Sequence, residues 1–342
     1  MNNTESDKAP VALRKGNKVN YRKLKIFYSV SETLNMTKTS KKMYISQSAV
    51  SQIIKELEED LGVILFERIY KKLYLTEEGM LFKEYTRRIL NMWDDMNEHM
   101  QSKKKNILIK VGGSTISGIY LLPYLCKNFS TIYNNVNFNI QIDNTTKIIK
   151  KVLENDIDIG IIDGIMPNNN EIISIEMQKD YLKVVTPNIE KFKNKEKFAI
   201  EDFKHENMIL REEGSGTRKT VDEYIERLKI KTENKMVIGN NEAIKKMVEI
   251  GLGITIISTL AIENEILEEK LLAFNVTDTE ISRNFHIIIH KDKYISSMLN
   301  NFIDLLKLKQ NNITEGRLSY IRTKTGAFLD FELIPQAKLL LE

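Results

Sequence analysis

The sequence predicts a multidomain chain: a winged helix-turn-helix, all α apart from a small β wing, joined by one long helix to a two-lobed α/β unit. Three observations predict it. Residues 37–79 hold two short helical patterns around a three-residue turn, then two β-prone runs. Residues 82–100 place apolar side chains three and four apart, close to a heptad seam. From residue 107 onward strand and helix patterns alternate.

Residues 1–19 hold Pro10 and Gly16 without apolar periodicity and read as a flexible arm. Residues 20–78 form the expected helix-turn-helix unit. A supporting helix runs from Tyr21 to Leu34, with Leu24, Phe27, Val30 and Leu34 toward the core. Thr37 is the expected cap of a second helix that closes at Met43. Tyr44, Ile45 and Ser46 make the turn, and Ser46 caps the third helix. There Val50, Ile54, Leu57 and Leu61 form one apolar stripe, and Gly62 supplies the left-handed stop.

The opposite face of the third helix carries Gln47, Ser48, Ser51, Gln52 and Lys55, residue types that reach base edges and phosphates in a major groove. Thr37 and Lys38 flank it. Two β-prone runs follow, Leu65–Arg68 and Leu73–Leu75, around a Lys71-Lys72 bend. Arg68, Lys71 and Lys72 are expected against the sugar-phosphate backbone, adding salt-sensitive affinity without sequence information. Charge distribution agrees. The whole chain of 342 residues carries only +4, but residues 11–75 hold 13 cations against 6 acids.

Ser46-Gln47-Ser48-Ala49-Val50-Ser51, Leu57-Glu58, Leu61-Gly62, Leu65-Phe66-Glu67-Arg68 and Leu75-Thr76-Glu77-Glu78-Gly79 occur in this order. The stretch resembles the DNA-binding domain of LysR-type transcriptional regulators. Two positions depart from that pattern: Thr39-Ser40 stand where two alanines are usual, and Ile53 where a polar residue is common. The resemblance implies a bacterial, sequence-specific regulator of promoter or operator DNA. RNA polymerase joins the partners it implies.

Thr76 is the expected cap of the linker helix, assigned to 79–104, with Glu77 and Glu78 suited to the positive end of its dipole. Phe82, Tyr85, Ile89, Met92, Met96 and Met100 form its seam, which fits pairing with a second copy; the family pairs through this helix. A homodimer or homotetramer is therefore expected. Ser102–Asn106 reads as a charged hinge.

Residues 107–308 are the expected effector domain, lobe I being 107–180 and 276–308 and lobe II 181–275. Lobe I shows strands at 107–111, 136–142 and 157–162, with a helix reaching Phe129 and another over 144–153. That is a βαβαβ order, hence a mostly parallel sheet. Lobe II shows strands at 208–211, 235–238 and 253–257, with helices at 216–228 and 241–250. The chain returns with a strand at 285–289 and a helix at 296–308. Two lobes joined by two crossings resemble the periplasmic-binding-protein-like effector domain of the same family. Residues 309–342, interrupted by Gly316, Gly326 and Pro335, read either as a docking segment or as an extension.

Open α/β lobes hold ligands beyond the carboxyl ends of their strands, at helix N-termini that favour anions. That rule selects Ser114 and Thr115, Asn144 and Thr145, and Arg211 with Gly214, Ser215, Gly216 and Thr217. The segment Arg211–Arg218, REEGSGTR, offers small residues, hydroxyls and two arginines suited to a carboxylate, sulfur oxyanion or phosphate. A small anionic effector is expected. Arg218 reads equally as a solvated helix residue.

Other classes are weaker. The single cysteine, Cys126, lies in an apolar pattern, which favours an inert buried thiol and precludes a disulfide within the chain. No apolar run reaches bilayer length and residues 2–18 lack a signal-peptide core, so a cytoplasmic protein without a membrane role is expected. A transferase-type enzyme would draw on His99, His205, His286 and His290. His286 and His290 share a strand face about 13 Å apart, too far to share a metal. No metal, cofactor or catalytic residue is therefore assigned, and an enzyme is not expected. A plain solute-binding protein would have no use for residues 37–79.

Overall fold

The computed structural model describes residues 19–308 except 71, 102–106, 165, 167, 168, 233 and 278. The arm up to residue 18, Lys71, the hinge at 102–106, the extension at 309–342 and the His99 side chain lie outside the described residues.

Three helices build the first unit: α1 (Tyr21–Thr33), α2 (Met36–Met43) and α3 (Gln47–Leu61). Ser46 Oγ accepts from Ala49 N at 3.1 Å and caps α3, as the sequence predicts. Thr37 is not the cap of α2. Asn35, extended at φ −149°, aims its Oδ1 at Lys38 N, 2.9 Å away, and so starts the helix before Thr37. Leu34 also departs from expectation. It closes α1 at φ 46°, turning its side chain out to 41% exposure, and Ile26 takes the place in the core.

Phe27, Val30, Val50, Ile54, Leu57 and Leu65 form that core. Thr39 is wholly buried there, and its hydroxyl meets Thr33 Oγ1 at 3.0 Å and Ser29 Oγ at 3.4 Å. Ser40 Oγ donates to Thr37 O at 2.9 Å. Both hydroxyls are thus satisfied, which removes the cost of placing polar groups where alanines would pack.

Strands β1 (Phe66–Ile69) and β2 (Lys72–Leu75) pair antiparallel as the wing. Glu58 holds its entrance, Oε1 accepting from Leu65 N at 2.8 Å and Phe66 N at 3.1 Å. At its exit Thr76 Oγ1 donates to Ile64 O at 2.7 Å and accepts from Gly79 N at 2.9 Å. A Cβ on Gly79 would stand 2.0 Å from Leu65 O, so only glycine lets α4 (Glu77–Gln101) start against the wing.

Helix α4 has two working faces. Phe82 packs on Phe27, ring centroids 4.8 Å apart, while Tyr85, Ile89, Met92, Met96 and Met100 are 44–76% exposed. On another face Arg87, Asn91 and Asp95, four residues apart, meet the α/β unit of the same chain. Arg87 pairs with Glu154 and Asn91 Nδ2 donates to Asp156 Oδ1 at 2.5 Å. Asp95 pairs with Lys293 and with Lys110 at 3.1 Å. Asp95 would be pushed up by burial, but those two lysines outweigh it and hold its pKa below the usual carboxylate range.

The α/β unit continues as β3 (Ile107–Ser114), α5 (Thr115–Tyr120), α6 (Leu122–Ile132), β4 (Val136–Asp143), α7 (Thr145–Leu153), β5 (Ile159–Asp163) and β6 (Ile172–Pro187). Then come α8 (Glu190–Lys193), β7 (Asn207–Arg211), α9 (Gly216–Arg227), β8 (Asn234–Ile238), α10 (Asn241–Glu249) and β9 (Thr255–Ser258). It ends with α11 (Glu263–Leu267), β10 (Leu271–Phe274), β11 (Ile281–His290) and α12 (Ser297–Leu308).

The single helix expected to reach Phe129 is two helices, because Pro123 has no N–H to continue the first and suits the start of the second. Strands β3, β4 and β5 are parallel as expected; β11 runs antiparallel beside β5, and β6, antiparallel to β11, points the same way as the first three. The order is β10-β6-β11-β5-β3-β4, with β9 also on β6. The 16-residue β6 pairs with β11 along its first part and with β9 and β10 along its last. It is one crossing between the lobes.

Candidate nucleic-acid interface and interlobe cleft

On α3 the stripe Val50, Ile54 and Leu57 is buried, which turns Gln47, Ser48, Gln52 and Lys55 outward. Ser51 is half-buried at the margin, and Ile53 packs against the core beside the stripe. Thr37 and Lys38 stand exposed in the first turn of α2. A groove of about 560 Å³ lies between Leu34–Thr37, the Gln47 start of α3 and the wing residues Arg68 and Lys72–Tyr74. Its walls therefore contain Thr37, Gln47, Arg68 and Lys72 from the predicted set. Tyr44 and Tyr70, 95% and 96% exposed at left-handed φ, stand at the α2–α3 turn and the wing tip. The sequence reading missed both, although a tyrosine beside a basic bend is a usable signal.

The predicted effector residues also come together, but they bond to one another. Thr145 Oγ1 accepts from Gly216 N at 3.1 Å and donates toward Asp163, with O at 3.4 Å and Oδ1 at 3.3 Å. Thr146 N donates to Gly214 O at 3.0 Å. A Cβ on Gly216 would lie 2.1 Å from Asp163 O, so the absence of a side chain permits this close approach. Ser215 caps α9, and Asn144 caps α7 through Lys147 N at 3.1 Å.

Ser114 is buried with its hydroxyl 3.0 Å from Ser117 Oγ, facing the interior. Thr115 Oγ1 accepts from Arg211 Nη2 at 3.3 Å. Arg211, 4% exposed, donates to Glu212 through Nε at 2.8 Å and Nη2 at 2.9 Å, and to Asn241 Oδ1 through Nη1 at 2.7 Å. Burial would raise the Glu212 carboxyl, but Arg211 and Asn144 outweigh it and its pKa is lowered. Arg218 is half-buried and bonded within the chain: Nη1 donates to Arg211 O at 2.9 Å and Nε to Asp222 at 2.7 Å.

Beneath Thr217 lies a cluster that the sequence reading missed. Arg283, 7% exposed, pairs with Asp163 at 2.5 Å and Asp180 at 2.8 Å and donates to Thr217 Oγ1 at 3.0 Å. Ser258 Oγ donates to Asp180 Oδ1 at 2.5 Å. Burial raises the pKa of Asp180 and prevails over the lowering effect of Arg283. The Arg283 Nη2 and Asn241 Nδ2 donors are buried without partners.

His286 Nδ1 lies 3.3 Å from Ser174 Oγ, and burial lowers its pKa. Cys126 is buried, and burial pushes its thiol up to about 12. Glu265 pairs with the buried Lys245 at 2.8 Å. Among the described residues, no helix is long and apolar enough to cross a membrane.

Two family models match the chain. The one described as "Bacterial regulatory helix-turn-helix protein, lysR family" matches residues 21–80. The one described as "LysR substrate binding domain" matches 106–310. The HTH-type transcriptional activator CmpR of Synechocystis sp. is 30% identical over 285 residues, covering 82% of this chain and 92% of CmpR. The fold of full-length CbnR, solved in complex with its target DNA, is similar at TM-score 0.65 and 20% identity, covering 85% of this chain and 99% of that one. So is the regulatory domain of Synechocystis PCC6803 CcmR in complex with 2-PG, at TM-score 0.56 and 23% identity, covering 60% and 98%.

Proposed function

The chain belongs to the LysR family of bacterial transcriptional regulators, and on that premise we propose how its residues divide the work. It is a DNA-binding regulator with an effector-binding domain. The observation that carries the residue assignment is the outward face of α3 beside the groove. Gln47, Ser48, Ser51, Gln52 and Lys55 read base edges; Thr37, Lys38, Arg68, Lys71 and Lys72 hold phosphates.

The unit boundaries adopted are 20–78, 79–104 and 107–308, with lobe I at 107–180 and 276–308 and lobe II at 181–275. The exposed seam of α4 pairs two copies, so two copies of α3 meet half-sites at fixed spacing. The Arg87–Asn91–Asp95 face ties each α4 to its own α/β unit, so a shift of the lobes tilts α4 and re-spaces those helices. Helix α7 runs from the cleft at Thr145 to its C-cap Glu154 at this contact and so connects the two. The regulator acts in the cytoplasm and is not an enzyme; its relatives are transcriptional regulators.

The effector is a small anion taken between the lobes by Thr115, Asn144, Thr145, Arg211 and the Gly214–Thr217 turn. Ser114 supports the turn below Thr115. That the CcmR regulatory domain is seen with 2-PG supports a small ligand for this kind of domain.

The experiment is binding of the full chain to DNA from upstream of its own or the adjacent gene, titrated against salt. The expected result is affinity at least ~10³ above that for random DNA, with a negative slope of log K against log salt. Equal affinity for both DNAs sinks the reading.

A further inference from the structure

Resting on the reading of the cleft as the effector site, we propose that Glu212 is a tethered carboxylate occupying the seat of the effector's own carboxylate. The effector is then a small carboxylic acid that enters by displacing it. Glu212 Oε2 and Oε1 sit 2.8 and 2.9 Å from Arg211 Nε and Nη2, a two-bond fork of the kind a ligand carboxylate makes with arginine. From the other lobe the Asn144 side chain also favours the charged carboxylate of Glu212, and Thr115 Oγ1 accepts from Arg211 Nη2 at 3.3 Å. The Arg211–Glu212 fork thereby sits where lobe II meets lobe I, among the groups that an acid bound between the lobes would use.

The seat is built and buried. Arg211 is 4% exposed and Asn241 3% exposed, with Arg211 Nη1 fixed on Asn241 Oδ1 at 2.7 Å. Asn241 Nδ2, buried beside it, has no acceptor. That is one donor more than Glu212 satisfies. A free acid bearing a further acceptor oxygen can use it, so ligand and Glu212 are unequal competitors for the same guanidinium. Glu212 is 27% exposed at its side chain, which leaves it a way out to water. Lobe closure in the absence of ligand follows, since Glu212 reproduces the contact that holds the lobes together.

Chemical rescue tests this in the full-length chain, with acetate as the probe and sulfate at equal ionic strength as the control. Glu212→Ala should lower Tm. Acetate should restore it saturably, by about 3 °C at ten times its dissociation constant, with sulfate without effect. The wild type, its seat filled, should show no acetate shift. Arg211→Met in the Glu212→Ala background should abolish the rescue. Should Glu212→Ala fail to fold, Glu212→Gln keeps the side-chain shape and one acceptor oxygen and carries the same comparison.

An equal acetate shift in wild type and variant overturns the proposal. So does a sulfate shift equal to that of acetate, or no acetate shift in either variant. If wild type still binds its operator specifically in that case, the regulator reading stands and only the seat is lost. Loss of that specificity would strike the regulator reading instead.

Discussion

The outward face of α3 and the interlobe face are built on opposite principles. Gln47, Ser48, Gln52 and Lys55 stand exposed, with at most a neighbour on their own helix, as Gln52 with Glu56 at 3.2 Å. Thr145, Arg211, Ser215 and Thr217 are 7% exposed or less, and their hydrogen bonds are already made within the chain. A surface that meets DNA can leave its donors in water, because water satisfies them until phosphates and bases take over. A cleft that closes without ligand satisfies most of its donors internally, since each buried donor left without an acceptor, as Asn241 Nδ2 and Arg283 Nη2 are, costs about 1 to 3 kcal/mol. The difference teaches where to look for regulation. Binding at α3 adds contacts, whereas binding between the lobes exchanges them. An exchange transmits only the difference between old and new bonds.

The largest expected effect lies on the buried side. Replacing Arg283 by Met leaves Asp163 and Asp180, both under 4% exposed, without their shared cation. The expected loss in urea unfolding at pH 7 is about 3 to 5 kcal/mol. The sign with pH is fixed by Asp180, whose folded pKa is already raised by burial and rises further without Arg283. A group raised in the folded state stabilises below its unfolded pKa and loses that contribution as pH rises through the folded one. The penalty should therefore shrink as pH falls from 7 toward about 4. A penalty below 1 kcal/mol, or one that does not change with pH, would erase the contrast between the two faces.

Legibility in the sequence follows the same division. Helix α3, the wing and the seam of α4 could be read because exposed and buried residues alternate there with helical or strand period. The exposed Tyr85, Ile89, Met92, Met96 and Met100 place five members of that seam outside the core of their own chain, whereas Phe82, its expected first member, packs into that core on Phe27. Strand β6 was not legible: Gln178 and Asp180 are buried in it, at positions where a period-two pattern demands apolar residues. Asp180 can be there only because Arg283, 103 residues away, stands opposite. Motif reasoning found Arg211 and the Gly214–Thr217 turn yet could not find Glu212 as the partner of Arg211, since a neighbouring acid and arginine ordinarily point apart. The cap of α2 shifted from Thr37 to Asn35 for a smaller reason: both are good caps, and the left-handed Leu34 decides which side chain faces the free N–H groups.

On the exposed side the expected effects are smaller in stability and appear in DNA binding. Gln47→Ala removes an exposed side chain from the first turn of α3, so urea stability should stay within about 0.5 kcal/mol. Binding to the operator should weaken by about 1 to 3 kcal/mol, while binding to random DNA stays nearly constant. Competition of one labelled operator against both DNAs measures the ratio directly. An equal loss on both would mean that Gln47 touches backbone, and would move base reading toward Ser48 and Gln52 on the same face.

Lys72→Ala should give the smallest change and the most diagnostic one. Lys72 opens β2, is exposed, and lines the groove with Arg68 and Gln47. Its ammonium can neutralise one phosphate without registering the base beside it, so the variant should weaken operator and random DNA by the same factor. The slope of log K against log salt should flatten by about 0.9 for the one lost contact. Gln47→Ala should leave that slope unchanged, because a neutral amide releases no counterion. The two variants therefore separate reading from holding within one groove. If Lys72→Ala instead changed the preference for operator over random DNA, the wing would be reading sequence or groove width. The sharp division between α3 and the wing would then be replaced by a single recognition surface spanning both.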